Sequence, residues 1–80
     1  MKLIKIKQKH LEAFDEEIGE TKIRGVATMH SFRVKSAIRA GWYGDSVTPE
    51  QVDDMTGKEV TVLHDKVVEV YNDATTIDPN

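Results

Sequence analysis

Eighty residues with no cysteine, three histidines and a formal net charge of -3 describe a single small domain. The missing cysteines rule out disulfides, thiolate metal sites and a cysteine nucleophile, and a reducing cytoplasm is the expected setting. No apolar run approaches the roughly 20 residues of a membrane span, and the lysines interleaved through MKLIKIKQKH break what a signal peptide would keep apolar, so a soluble, unexported protein is expected.

The first predicted element is short. Residues 1–7 carry β-tolerant KLIKI and read as a strand or an extended arm. From 8 to 18, Leu11, Phe14 and Ile18 recur at i, i+3, i+7 with Glu12, Asp15, Glu16 and Glu17 on the other side, which predicts an amphipathic helix stopped by Gly19. Residues 20–28 have no clean period, and Gly25 weakens any helix through them, so they read as a connector. A helix is expected over 29–40, where Val34, Ala37, Ile38 and Gly41 resume helical spacing.

Gly41 suits the left-handed residue that ends that helix, and Trp42, just beyond it, falls where an apolar side chain folds back on the last turn. Trp42 is therefore expected to wedge a corner between this helix and the next. Thr48, Pro49 and Gln51 form a capping box with proline at the first helical position, predicting a short helix over 49–55. Thr56 and Glu59 form a second box, which opens a long helix over 57–75 with Val60, Leu63, Val67, Val70 and Ala74 on its apolar stripe. Its valines would also suit a strand, but the cap and the unbroken 3-4 spacing outweigh propensity. Pro79 is a stop signal. The expected fold is mainly α, a three- or four-helix domain with a short amino-terminal β-strand as an option, and a core of Leu11, Phe14, Ile18, Val34, Ile38, Trp42, Val52, Met55, Val60, Leu63, Val67 and Val70.

Chemistry is sparse. His10, His30 and His64 are far apart and match no HxxxH or HExxH spacing, so each reads first as a surface histidine, and no metal or cofactor site is assigned. Asp53 and Asp54 are adjacent and diverge on a helix. Gly41 and Gly44 bracket Trp42 and Tyr43 without a phosphate-cradling pattern. Catalytic residues are not expected. Charge alternates in blocks: Lys2, Lys5, Lys7 and Lys9; then Glu12 to Glu20; then Lys22, Arg24, Arg33, Lys35 and Arg39; then Asp45 to Asp54. Such blocks usually neutralise one another across neighbouring elements, and the sharper reading is a dipolar surface for a partner of complementary charge. The basic third block would suit nucleic acid, against which stand the acidic total and a pI near 5.5.

The motifs AIRAGW (37–42), TPEQVDDM (48–55), KEVTVL (58–63) and YNDATTIDPN (71–80) give residues 36–80 a pattern that resembles small proteins of bacteriophage and prophage tail-gene modules. The resemblance implies a phage-encoded, non-enzymatic protein of the host cytoplasm, a tail-assembly chaperone or related factor whose partner is a phage tail protein. It implies no cofactor. If the protein covers apolar helical surface on its partner, Trp42, Tyr43, Val67 and Tyr71 are the candidate contacts, with core packing the competing role for Trp42 and Val67. The family's amino-terminal half is more helical and polar than KLIKIK, which leaves residues 1–30 outside the likeness. Inhibition of a host defence or replication protein through the acidic faces is the runner-up, and DNA-binding regulation comes third. Self-association stays open.

Overall fold

A computed structural model describes residues 1–77. The chain is mainly helical: α1 (Gln8–Ile18), α2 (Val26–Arg39), a 3-10 helix (Pro49–Asp54) and α3 (Gly57–Thr75). No strand occurs among the described residues. Residues 1–7 form an arm outside any helix, held by one backbone bond from the Ile4 N–H to the Trp42 carbonyl at 2.9 Å. The β-tolerant sequence stays single because a ladder needs a neighbouring strand, and the rest of the described chain is helix and loop.

The start of α2 corrects the connector expected over 20–28. Gly25, at φ 91°, precedes the helix instead of weakening it, and its carbonyl accepts the N–H of Met29 at 3.1 Å. Val26, Ala27 and Thr28 are all exposed, so the first turn buries nothing and carries no apolar period.

The end of α2 follows the sequence closely. Gly41 sits at φ 86°, its N–H bonded to the Ile38 carbonyl and that of Trp42 to the Ala37 carbonyl, both at 3.0 Å. This pair of 5→2 and 6→1 bonds is the Schellman closure, which satisfies carbonyls that the helix end would otherwise orphan. At the 3-10 helix the Gln51 side chain accepts the Thr48 N–H at 3.2 Å. At α3 the Thr56 hydroxyl accepts the Glu59 N–H at 3.2 Å and donates to the Glu59 carboxylate at 3.1 Å. Thr56→Ala orphans that amide and is expected to cost about 0.5–2 kcal/mol; an unmoved chemical-denaturation midpoint would remove the cap from the account. The first turn of α1 has no Ser, Thr, Asp or Asn cap. His10 takes that place, its Nδ1 accepting the Lys7 N–H at 2.9 Å.

Two contacts between α2 and α3, His30 with Thr61 and Arg33 with His64, have the same offset of 31 residues. A constant offset means that the two helices advance in the same direction. Residues 40–56 must therefore carry the chain back along α2, and the Lys35–Asp53 pair at 2.7 Å ties the returning 3-10 helix to it. α1 runs the opposite way: the indole N–H of Trp42, past the end of α2, reaches the His10 carbonyl at 2.9 Å, while Ile18 at the other end of α1 borders a recess with Arg33 and Val67, further back along α2 and α3. Tyr71 donates to Asp15 at 2.6 Å.

The core is Leu11, Phe14, Val34, Ala37, Ile38, Ala40, Trp42, Tyr43, Val52, Val60 and Val67, with Ile18, Met55, Leu63 and Val70 packed at its margin. Trp42 is fully buried and its ring centroid lies 5.1 Å from that of Phe14. The wedge was expected between α2 and the helix at Pro49; the bonds and ring contact of Trp42 instead join the end of α2 to α1 and to the arm. The expected stop at Pro79 and the last residues of YNDATTIDPN lie outside the described residues.

Candidate functional site

The four residues expected to meet a partner do not form one surface. Trp42 and Val67 are fully buried and Tyr43 is 5% exposed, so three of the four are spent on the core. Phe14 of α1 packs on Trp42, and Val67 borders a recess that Phe14 and Ile18 of α1 also line. Tyr71 alone is half-buried, its ring 5.5 Å from that of Phe14 and its hydroxyl on Asp15. It borders a recess of about 280 Å3 with Phe14, Asp15, Ile18, Arg33 and Val67.

Tyr43 carries an unusual burden. Its phenolic oxygen is buried with no hydrogen-bond partner among the described residues, a state it shares with the Ser36 hydroxyl. An unpaired buried hydroxyl costs about 1–3 kcal/mol of desolvation, so Tyr43→Phe is expected to raise stability by about 1 kcal/mol. Burial also pushes the Tyr43 pKa above the ordinary 10.0, and the hydrogen bond to Asp15 does the same for Tyr71. The folded state then holds these protons more tightly than the unfolded state. Stability is full below about pH 10 and falls as pH rises beyond it. A Tyr43→Phe/Tyr71→Phe chain should lose part of that alkaline sensitivity in a pH series of melting temperatures; an unchanged alkaline limb would show that other groups drive it.

A polar cluster that sequence spacing did not reveal lies between α2 and α3. The rings of His30 and His64 stack with centroids 4.0 Å apart and an interplanar angle of 30°. Arg33 Nη1 lies 3.0 Å from His64 Nε2, and His64 Nδ1 lies 3.1 Å from Asp65 Oδ1. Arginine can only donate, so Nε2 is the acceptor; the imidazole proton then sits on Nδ1 and points at Asp65. His64 is 7% exposed, which corrects its reading as a surface residue. His30 Nδ1 lies 3.1 Å from the Thr61 hydroxyl.

This cluster clamps two helices. It is poorly suited to acid–base work, because the one basic lone pair of His64 is already occupied by a guanidinium. Among the described residues no three His, Cys, Asp or Glu side chains gather to hold a metal ion. The i, i+3 pairs His30/Arg33 and Thr61/His64 were visible in sequence, but only the parallel course of α2 and α3 makes them meet.

Contact pairing between the charge blocks is limited to Lys35–Asp53; the other two ion-pair contacts among the described residues, His64–Asp65 and Lys66–Glu69, are local to α3. The remaining blocks make no ion-pair contact across elements among the described residues. Lys2, Lys5, Lys7 and Lys9 are exposed and free of such contacts, as are Glu12, Glu16, Glu17 and Glu20. Beside the lysines, Met1, Ile4 and Val62 are 44%, 38% and 61% exposed. Met1, Met55, Thr56, Lys58, Val62 and Leu63 border an open cleft of about 560 Å3 between the arm and the first turns of α3. No helix among the described residues is long and apolar enough to cross a membrane. No family model, curated protein or solved structure matches this chain.

Proposed function

We propose that this chain is a non-enzymatic protein-binding domain that serves bacteriophage tail assembly, shielding apolar surface of a tail protein in the host cytoplasm. The observation that carries the binding reading is the exposed apolar pair Met1 and Val62, left in water at the mouth of a cleft that half-buried Met55 and Leu63 also border, with Lys58 and Glu59 beside them. Exposed apolar side chains that are contiguous and rimmed by charge suit a contact surface. The phage setting comes from the likeness of residues 36–80. Its motifs AIRAGW, TPEQVDDM and KEVTVL fall on the end of α2, the 3-10 helix and the start of α3.

The test is co-expression of the tagged chain with phage tape-measure and major tail proteins. Co-purification in fixed stoichiometry, with an increased soluble yield of the tail protein, is the expected result. Failure of both, with normal tails in a deletion phage, would end the assembly reading.

The second reading, an inhibitor of a host protein, draws on one specific observation. Glu12, Glu16, Glu17 and Glu20 form an exposed acidic set on and just after α1 with no cation in ion-pair contact among the described residues. Its signature is a host protein whose capture is lost on replacing those four glutamates by glutamine. DNA binding is weakened as a reading, because Arg33 is turned to His64 and Lys35 is paired with Asp53.

A further inference from the structure

We propose that the outer face of α1 pairs with the same face of a second copy of this chain, the two helices lying antiparallel across a two-fold axis. Leu11, Phe14 and Ile18 turn the inner face of α1 to the core, which at about 100° per residue leaves Lys9, Glu12 and Glu16 in one stripe on the opposite side. All three are exposed, with half-buried Ala13 beside them. Lys5 and Lys7 precede the helix and Glu20 follows it, and these too are exposed. None of the six makes an ion-pair contact among the described residues, not even Lys9 with Glu12, three positions on.

The order of these charges selects the occupant. A helix is stabilised by anions at its amino end and cations at its carboxyl end. The other helices conform: Glu59 stands in the first turn of α3, Glu50 in that of the 3-10 helix, and Arg39 in the last turn of α2. α1 inverts the pattern. It has no acidic residue in its first turn and no basic residue in its last; Lys7 and Lys9 stand at its start and Glu16 and Glu17 at its end. A lone chain therefore holds these charges against its own helix dipole. An antiparallel second copy reverses the sign of the effect, because each helix then places its carboxylates beside the amino end of the other and its ammonium groups beside the carboxyl end. In the register that sets Lys9 of each copy against Glu16 of the other, Glu12 meets small Ala13, and the arm carries Lys5 toward Glu20. A two-fold contact demands a surface complementary to itself, and this one is. A parallel pair would set lysines on lysines, and a partner of one sign, such as a nucleic acid or a cationic peptide, would match one end and repel the other.

Exposed ion pairs are individually weak, so the test runs at high protein and low salt. Sedimentation equilibrium and amide NMR shifts up to about 1 mM chain should show association, with shifts confined to residues 5–20 and reversed by about 1 M salt. Mixing is the decisive step. Lys5→Glu/Lys9→Glu and Glu16→Lys/Glu20→Lys alter only exposed positions, so circular dichroism certifies each fold. Each variant alone should self-associate at least about tenfold more weakly than wild type. Their equimolar mixture should recover the wild-type affinity, since an acidic copy meets a basic copy at both ends. The chain with all four changes should pair as wild type does, and at micromolar concentration it should melt higher, because its charges now follow the dipole. A nitroxide on Gln8→Cys, in a chain that has no other cysteine, should broaden residues 16–20 of an unlabelled copy.

A wild-type chain that stays monomeric throughout that range overturns the pairing, as do shifts centred outside residues 5–20 or double variants that associate as well as wild type. A mixture of the two variants that fails to associate overturns it as well. Loss of association in one double variant alone assigns that end to some other surface and removes the two-fold contact. Nitroxide broadening centred on residues 7–10 of the unlabelled copy shows a parallel pair and overturns the antiparallel one.

Discussion

Trp42→Ala is expected to leave the chain largely unfolded at room temperature. The indole buries roughly 200 Å2 and large-to-small changes of this kind cost about 3–5 kcal/mol. An 80-residue domain has roughly 4–12 kcal/mol in total at the usual stability per residue, and a small one lies toward the lower end. The loss here is compounded, because the side chain serves α1 in two ways at once: its ring meets Phe14 and its Nε1–H reaches the His10 carbonyl. Trp42→Phe separates these contributions. It keeps most of the ring contact and the backbone bond to Ile4 but loses the indole donor. The His10 carbonyl lies inside α1, where the helical ladder also calls on it, so that loss should be near 1 kcal/mol. Far-ultraviolet circular dichroism should therefore show an unfolded alanine variant and a folded phenylalanine variant with a lower midpoint. Before either is made, wild-type fluorescence should be blue-shifted and poorly quenched by iodide. A folded Trp42→Ala chain with a wild-type melt would remove the residue from the centre of the fold.

That role was legible because everything that fixes it is local. Gly41 had to supply a left-handed conformation, and the residue after such a glycine closes the helix end. The caps at Thr48 and Thr56 and the bounds of α1 and α3 were legible for the same reason: hydrogen-bonding chemistry within four residues sets them. The course of the chain between elements was not. Nothing in residues 40–56 announces that they return along α2, yet that return makes α2 and α3 run in the same direction and brings positions 30 and 33 against 61 and 64. The stripe of α3 shows the consequence. The spacing put Val60, Leu63, Val67 and Val70 inward, whereas the residues buried on α3 are Val60, His64 and Val67, with Leu63 and Val70 at the margin. Apolar periodicity counts only apolar residues, so it cannot register a histidine that enters the interior because an arginine on another helix meets it. The burial of Tyr43 was missed on similar grounds: large aromatic residues are equally suited to a core and an interface, and the packing of elements around them decides which.

His64→Leu is expected to cost about 1–3 kcal/mol even though leucine is more apolar and of similar size. The change removes the acceptor of the Arg33 guanidinium and leaves a half-buried donor without its partner, which is the costly outcome for a buried polar pair. It also removes the ring stacked on His30 and the Nδ1–H that faces Asp65. Arg33→Leu by itself should cost less. Water can reach this half-buried position, and leucine keeps part of the packing that the arginine stem supplied. The Arg33→Leu/His64→Leu chain removes both polar groups together, so no orphan remains, and its stability should return to within about 1 kcal/mol of wild type. The double-mutant cycle then carries a coupling of about 1–2 kcal/mol, within the range seen for directly bonded pairs. Urea midpoints of the four chains supply all the numbers. Strictly additive losses would mean that Arg33 and His64 do not act as a pair.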